Sequence, residues 1–124
     1  MKYIKTYENK NREPQIGDYV ICEENIYQNI PDREKLDYIL ENFLNENVGK
    51  CINIITYLND DIYIIEYDNI PLALYDYFKF KKNGTADIKF EMSKCRGMNR
   101  KEIIHFSPDK EDLEIMIAAK KYNL

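Results

Sequence analysis

Hydrophobic residues recur at two different spacings along this chain, and the switches between them mark out the elements. Tyr19-Val20-Ile21-Cys22 follows the turn residues Ile16-Gly17-Asp18 and reads as a short strand. From Pro31 the period becomes helical. Leu36, Ile39, Leu40, Phe43 and Leu44 share one face, with Asp32, Arg33, Glu34, Lys35 and Glu41 on the other. Asp32 is suited to cap the start and Asn47 and Gly49 to stop the run, so a helix is expected over 32–46.

Two runs rich in Ile and Tyr come next, Lys50 to Tyr57 and Ile62 to Tyr67, joined by Leu58-Asn59-Asp60-Asp61. Two such runs around a short polar link predict a hairpin. Asp68-Asn69-Ile70-Pro71 breaks the second strand, and Leu72 to Phe80 fits a short helix and a strand equally. Asn83-Gly84 is a turn signal, and Asp87 to Met92 alternates as a strand with Ile88, Phe90 and Met92 on one face. Ser93 to Arg100 is polar and contains glycine, which predicts a loop, and Glu102 to Phe106 forms the last strand. Ser107-Pro108, a hydroxyl followed by proline, then predicts a helix over 108–121.

The expected architecture is α+β: a small barrel of about five strands over 16–124, with helix 32–46 inserted and helix 108–121 at the end. Residues 1–15 are short, polar and charged, and read as an arm. Several strand openings resemble those of SH3-like barrels: Gly17-Asp18-Tyr19-Val20, Val48-Gly49-Lys50-Cys51-Ile52, Tyr63-Ile64-Ile65-Glu66-Tyr67 and Glu102-Ile103-Ile104-His105-Phe106.

The chain also resembles a loose group of small bacteriophage and giant-virus proteins. It shares their start, Met1-Lys2-Tyr3-Ile4-Lys5-Thr6-Tyr7-Glu8, the strand Ile16-Gly17-Asp18-Tyr19-Val20, and the strand Glu102-Ile103-Ile104-His105-Phe106-Ser107. That resemblance implies a viral origin and a barrel, and it brings no activity with it.

With 124 residues the chain suffices for one domain and one core. Lys, Asn, Ile and Tyr, whose codons are poor in G and C, make up 56 of the residues, which suggests an AT-rich genome. Eleven Tyr and no Trp imply phenols buried by the ring with the hydroxyl near water. The first residues lack the apolar core of a signal peptide, and no run approaches a membrane span, so a cytoplasmic location is expected.

Candidate chemistry is sparse. Cys22, Cys51 and Cys95 are scattered without a C-x-x-C pair, which fits neither a disulfide framework nor a zinc site. Cys22 and Cys51 lie in apolar runs and should be buried thiols. Cys95, between Lys94 and Arg96, is the best thiol nucleophile on paper, because cations lower a thiol's pKa. His105 is the single histidine and should sit half-exposed on the last strand, facing away from Ile104 and Phe106. Asp60-Asp61 suit a solvated hairpin tip better than a metal site. The four glycines form no phosphate loop. A non-enzymatic protein without cofactor or metal is expected.

Charge is spread unevenly. From Phe78 to Lys101 eight basic residues (Lys79, Lys81, Lys82, Lys89, Lys94, Arg96, Arg100 and Lys101) face only Asp87 and Glu91, a net of +6. The chain totals −4, so the remainder carries −10. Tyr77, Phe78 and Phe80 add rings beside these cations. This segment is the expected binding surface, for a protein partner first and nucleic acid second, since an acidic remainder repels phosphate. Lysines that keep an exposed hairpin soluble are the ordinary alternative. Two further functions fit. One is inhibition of a host defence enzyme through an acidic helix face (Asp32, Glu34, Asp37, Glu41 and Glu46); the other is a virion or assembly role for the 1–15 arm.

Overall fold

The computed structural model describes residues 12–23, 34–83 and 89–122, with the backbone alone for 34–36, 57, 80–83 and 89–92. The elements in chain order are β1 (Tyr19–Cys22), α1 (Glu34–Glu46), β2 (Gly49–Tyr57), β3 (Asp60–Glu66), a 3-10 turn (Leu72–Tyr77), β4 (Lys79–Asn83), β5 (Lys89–Ser93), β6 (Cys95–Met98), a second 3-10 turn (Arg100–Glu102), β7 (Ile103–Ser107) and α2 (Lys110–Lys121).

Five strands form one antiparallel sheet in the order β6-β3-β2-β1-β7, and β4 and β5 form a separate two-stranded ribbon. The α+β class is therefore as expected, but the sheet is open, with β6 and β7 as its edges. A closed SH3-like barrel would need those edges to pair. Instead β6 has β4 of the ribbon beside it, and β7 is followed by α2, which contacts both β1 and β7.

The β2–β3 hairpin turns on two residues rather than four. Leu58 (φ 51°) and Asn59 (φ 69°) are both left-handed, the backbone that suits the right-handed twist of the flanking strands. Ser93 to Arg100 is not a loop. Lys94 (φ 63°) turns the chain, and Cys95 to Met98 pair with β3 from Glu66 back to Tyr63. Cys95 and Met98 are buried. A strand this short, with Arg96 and Gly97 at its centre, carries no alternation that sequence reading could detect. The ambiguous stretch from Leu72 divides between the 3-10 turn and β4.

The C-terminal helix starts later than Ser107-Pro108 implied. Asp109 is its cap, accepting from the Glu111 amide at 3.1 Å, while the Ser107 hydroxyl accepts from the Asp109 amide at 3.0 Å. The carboxylate, one position nearer the first free amides, takes the capping role. Residues 32 and 33 of the expected first helix lie outside the described residues, as do 84–88 and most of the arm.

Cross-strand pairs Val20–Phe106 and Cys22–Ile103 put these residues on the core face of the sheet. Leu40, Phe43 and Leu44 of α1 cover that face, joined by Leu74 of the 3-10 turn and by Phe78. Phe43, Tyr67 and Phe78 form a three-ring cluster with centroids 5.4–5.6 Å apart and tilted or edge-on geometry. Gly49 is obligatory here. A Cβ would stand 2.8 Å from Tyr67 Cζ and closer still to Ile65 Cγ2, so a side chain would push into that cluster.

Of the 1–15 arm, the described part is fastened to the sheet. Arg12 Nη2 reaches both oxygens of buried Asp18 at 2.7 and 2.8 Å, and the Gln15 amide donates to the same carboxylate at 2.8 Å. Gly17 (φ 99°) makes the turn that brings its amide to the Cys51 carbonyl.

Candidate functional site

The topology distributes the eight cations of the 79–101 segment over four elements and the turn at Lys94. Lys79 opens β4, Lys81 and Lys82 follow in it, Lys89 opens β5, Lys94 is the turn into β6, Arg96 lies in β6, and Arg100 and Lys101 sit in the second 3-10 turn. The β4–β5 register pairs Lys79 with Ser93, Lys81 with Glu91 and Asn83 with Lys89. The side chains of Phe80, Lys81, Lys82 and Lys89 lie outside the described residues.

Arg96 and Arg100 are fasteners. Arg96 is half-buried, donates from Nη1 to the Tyr77 carbonyl at 2.9 Å, and lies 6.0 Å from the Tyr77 ring centroid. It ties the end of the first 3-10 turn to β6, and Tyr77 is half-buried. Arg100 donates to the Ile103 carbonyl at 3.0 Å and pairs with Glu13 at 2.5 Å. Its guanidinium lies 5.3 Å from the Phe106 ring centroid and that of Arg12 lies 5.4 Å from it, so two cations share one ring. The turn bearing Arg100 and exposed Lys101 is held by a capping box between Asn99 and Glu102.

Lys79 and Lys94 behave differently, since both are exposed and both line one groove. The groove, about 380 Å³, lies at the start of the ribbon, with Ile70, Tyr75 and buried Phe78 as its apolar lining and Asn69 and Ser93 as further polar lining. Lys79 pairs loosely with Asp76 at 3.4 Å, both side chains well solvated. The Lys94 carbonyl accepts from the Tyr67 amide at 2.9 Å, which fixes the backbone of the turn. Asn69 (φ 56°) and Lys94 (φ 63°) are both left-handed. Asn tolerates that backbone through its short polar side chain, whereas Lys has no such compensation.

The thiols are shielded from solvent. All three cysteines are free and buried. Burial pushes Cys22 up to about 12 and raises Cys51. Cys95, expected to be activated by its basic neighbours, is instead raised, by burial and then by the Glu66 carboxylate. The Tyr67 hydroxyl is wholly buried, meets the Cys22 thiol, and has no hydrogen bond of good geometry among the described residues. Burial drives its pKa well above the ordinary phenol range.

His105 pairs with Ile21 across β1 and β7, alternate to the Val20–Phe106 pair, and is exposed as expected. Its pKa is lowered, first by partial burial and then by Lys120. Asp60 and Asp61 are exposed, with Thr56 donating to Asp61 at 2.7 Å. Among the described residues no three His, Cys, Asp or Glu side chains are grouped to hold a metal, and no helix is long and apolar enough to cross a membrane. Of the acidic helix face, Asp37 and Glu41 are half-buried and Glu46 is exposed; Asp32 and the Glu34 side chain lie outside the described residues.

No protein-family model, curated protein or solved structure matches this chain.

Proposed function

We propose that this chain is a non-enzymatic binding module that holds an anionic partner against the lysine-bearing part of its 79–101 segment. One observation carries this reading: Lys79 and Lys94, fifteen positions apart in sequence, converge on a single groove with an aromatic lining. A protein partner fits better than nucleic acid. Two lysines at a groove neutralise few phosphates, and the −10 remainder of the chain repels a polyanion. Buried thiols that hold their protons count against nucleophilic catalysis by cysteine.

The strand order supports a finer reading. The last strand lies beside the first and the others follow as a meander, the order of an SH3-like module, here with α1 inserted between the first two strands and the ribbon between β3 and β6. On this reading the chain is an opened relative of such binding modules. Its description as a virus-encoded accessory protein of the host cytoplasm rests on the short motifs at residues 1–8, 16–20 and 102–107.

The test is capture of partners from host lysate by the tagged full chain, with and without nuclease, beside a variant with Lys79, Lys81, Lys82, Lys94 and Lys101 changed to Glu. The expected result is a partner that survives nuclease and is lost with the variant. Equal capture by both chains removes the basic segment from the function. Capture that vanishes with nuclease transfers the function to nucleic acid.

A further inference from the structure

The groove is more specific than a positive patch, and its geometry points to one kind of occupant. We infer that the cleft between the Leu72–Tyr77 turn and the start of the ribbon binds a short protein segment in which an acidic side chain stands next to an aliphatic or aromatic one. This deepens the binding reading above and rests on it.

In a 3-10 turn, side chains three apart eclipse, so Leu72 and Tyr75 stack on one face. Both are exposed, Leu72 at 80% and Tyr75 at 52%. An apolar ridge thus stands beside a groove that Tyr75 also lines, with Ile70 and the edge of Phe78 inside it. Phe78 itself is only 1% exposed and is engaged edge-on by Phe43 and Tyr67, so it offers no open ring face on which a base could stack. The ammonium groups of Lys79 and Lys94 supply the complementary charge. An exposed aromatic and aliphatic pair flanked by cations matches the apolar anchor and charged rim of a peptide-binding cleft.

The backbone supplies an independent argument. Lys94 occupies the left-handed region, where a residue with a Cβ is strained and glycine is at ease. Glycine would make the same turn and the same bond from Tyr67 more easily, so a lysine here costs the fold stability, and strained backbone of this kind gathers at binding sites.

The experiment selects a phage-displayed library of random peptides against the full chain. The selected peptides are then measured by fluorescence polarisation, with labelled oligothymidylate as a second probe. The expected winners place Asp or Glu beside Leu, Ile, Phe or Tyr. Their affinity should fall about tenfold or more in Lys79→Glu/Lys94→Glu and in Leu72→Glu. In Lys94→Gly the affinity should fall roughly threefold or more while the melting temperature rises by about 2–4 °C.

Selected peptides lacking acidic residues, or affinities unchanged by Lys79→Glu/Lys94→Glu, would overturn the inference. So would oligothymidylate binding more tightly than any peptide. A Lys94→Gly variant that keeps full affinity removes Lys94 from the cleft and overturns it likewise. If the partner captured from lysate is lost by the five-lysine variant but kept by Lys79→Glu/Lys94→Glu, the binding module stands and the groove does not.

Discussion

Arg96 and Arg100 on one side, and Lys79 and Lys94 on the other, use the charge of the same basic segment differently. Arg96 and Arg100 spend their guanidinium groups on carbonyls, a carboxylate and ring faces of their own chain. Lys79, loosely paired with the exposed Asp76 carboxylate, and Lys94 line a groove instead. The planar guanidinium satisfies several acceptors at once and tolerates partial burial, which suits it to fastening. The strongly hydrated ammonium resists burial and stays available. A net charge read along a sequence therefore overstates the positive surface that a partner meets. The availability of each cation is decided by contacts as distant as Glu13 to Arg100.

Substitutions on the two sides should separate stability from binding. The largest effect belongs to the residue both regions share. Phe78→Ala removes part of the groove's lining and one corner of the three-ring cluster, and should lower the unfolding free energy by about 3–5 kcal/mol in a urea titration. Arg12→Ala comes next, because it leaves the Asp18 carboxylate buried and short of its cation, and should cost about 2–3 kcal/mol. Arg96→Ala should cost about 1.5–3 kcal/mol through the lost bond to the Tyr77 carbonyl. Lys79→Ala and Lys101→Ala, by contrast, should stay within about 0.5 kcal/mol of the parent. Equal losses for the lysines and arginines would erase the distinction.

Tyr67→Phe sharpens the account of the core. It removes a buried hydroxyl that meets the Cys22 thiol and has no hydrogen bond of good geometry among the described residues, so the change should be neutral or stabilising by up to about 1 kcal/mol. A loss above that would mean the hydroxyl has a better partner than the Cys22 sulfur.

The smallest effect is in acid. His105 is lowered from the usual 6.5 by burial and by Lys120, so the unfolded chain takes up its proton at a higher pH than the folded one. Its contribution is complete above about pH 6.5 and is lost as pH falls through the lowered folded value. His105→Asn should flatten that part of a pH–stability profile. Cys22 works in the other direction. The unfolded thiol ionises near 9 and the folded one near about 12, so its contribution is full below pH 9 and fades as pH rises through that window.

Local pattern carried much of the architecture. The β2–β3 hairpin, the α1 and α2 periodicities and the buried positions of Cys22 and Cys51 all follow from alternation, spacing and apolar context. What pattern could not carry was long-range. β6 reads as loop because its two buried residues, Cys95 and Met98, enclose Arg96 and Gly97; only pairing with β3 makes it a strand. The barrel failed to close for a similar reason, since the fate of each sheet edge depends on which element comes to lie beside it. The segment 79–101 was visible as a charge excess, but its division into fasteners and groove lysines was not. The left-handed turn at Lys94, which sets both β6 and the groove, has no signature in a lysine.

The measurement that tests the central claim most directly pairs a melting curve with partner binding for Lys79→Glu/Lys94→Glu and for Arg96→Ala. The account predicts that the lysine pair loses binding about tenfold or more with its melting temperature within about 2 °C of the parent. It predicts that Arg96→Ala melts lower while the folded fraction still binds. Binding that survives the lysine reversal, or is lost only in proportion to unfolding, would contradict it.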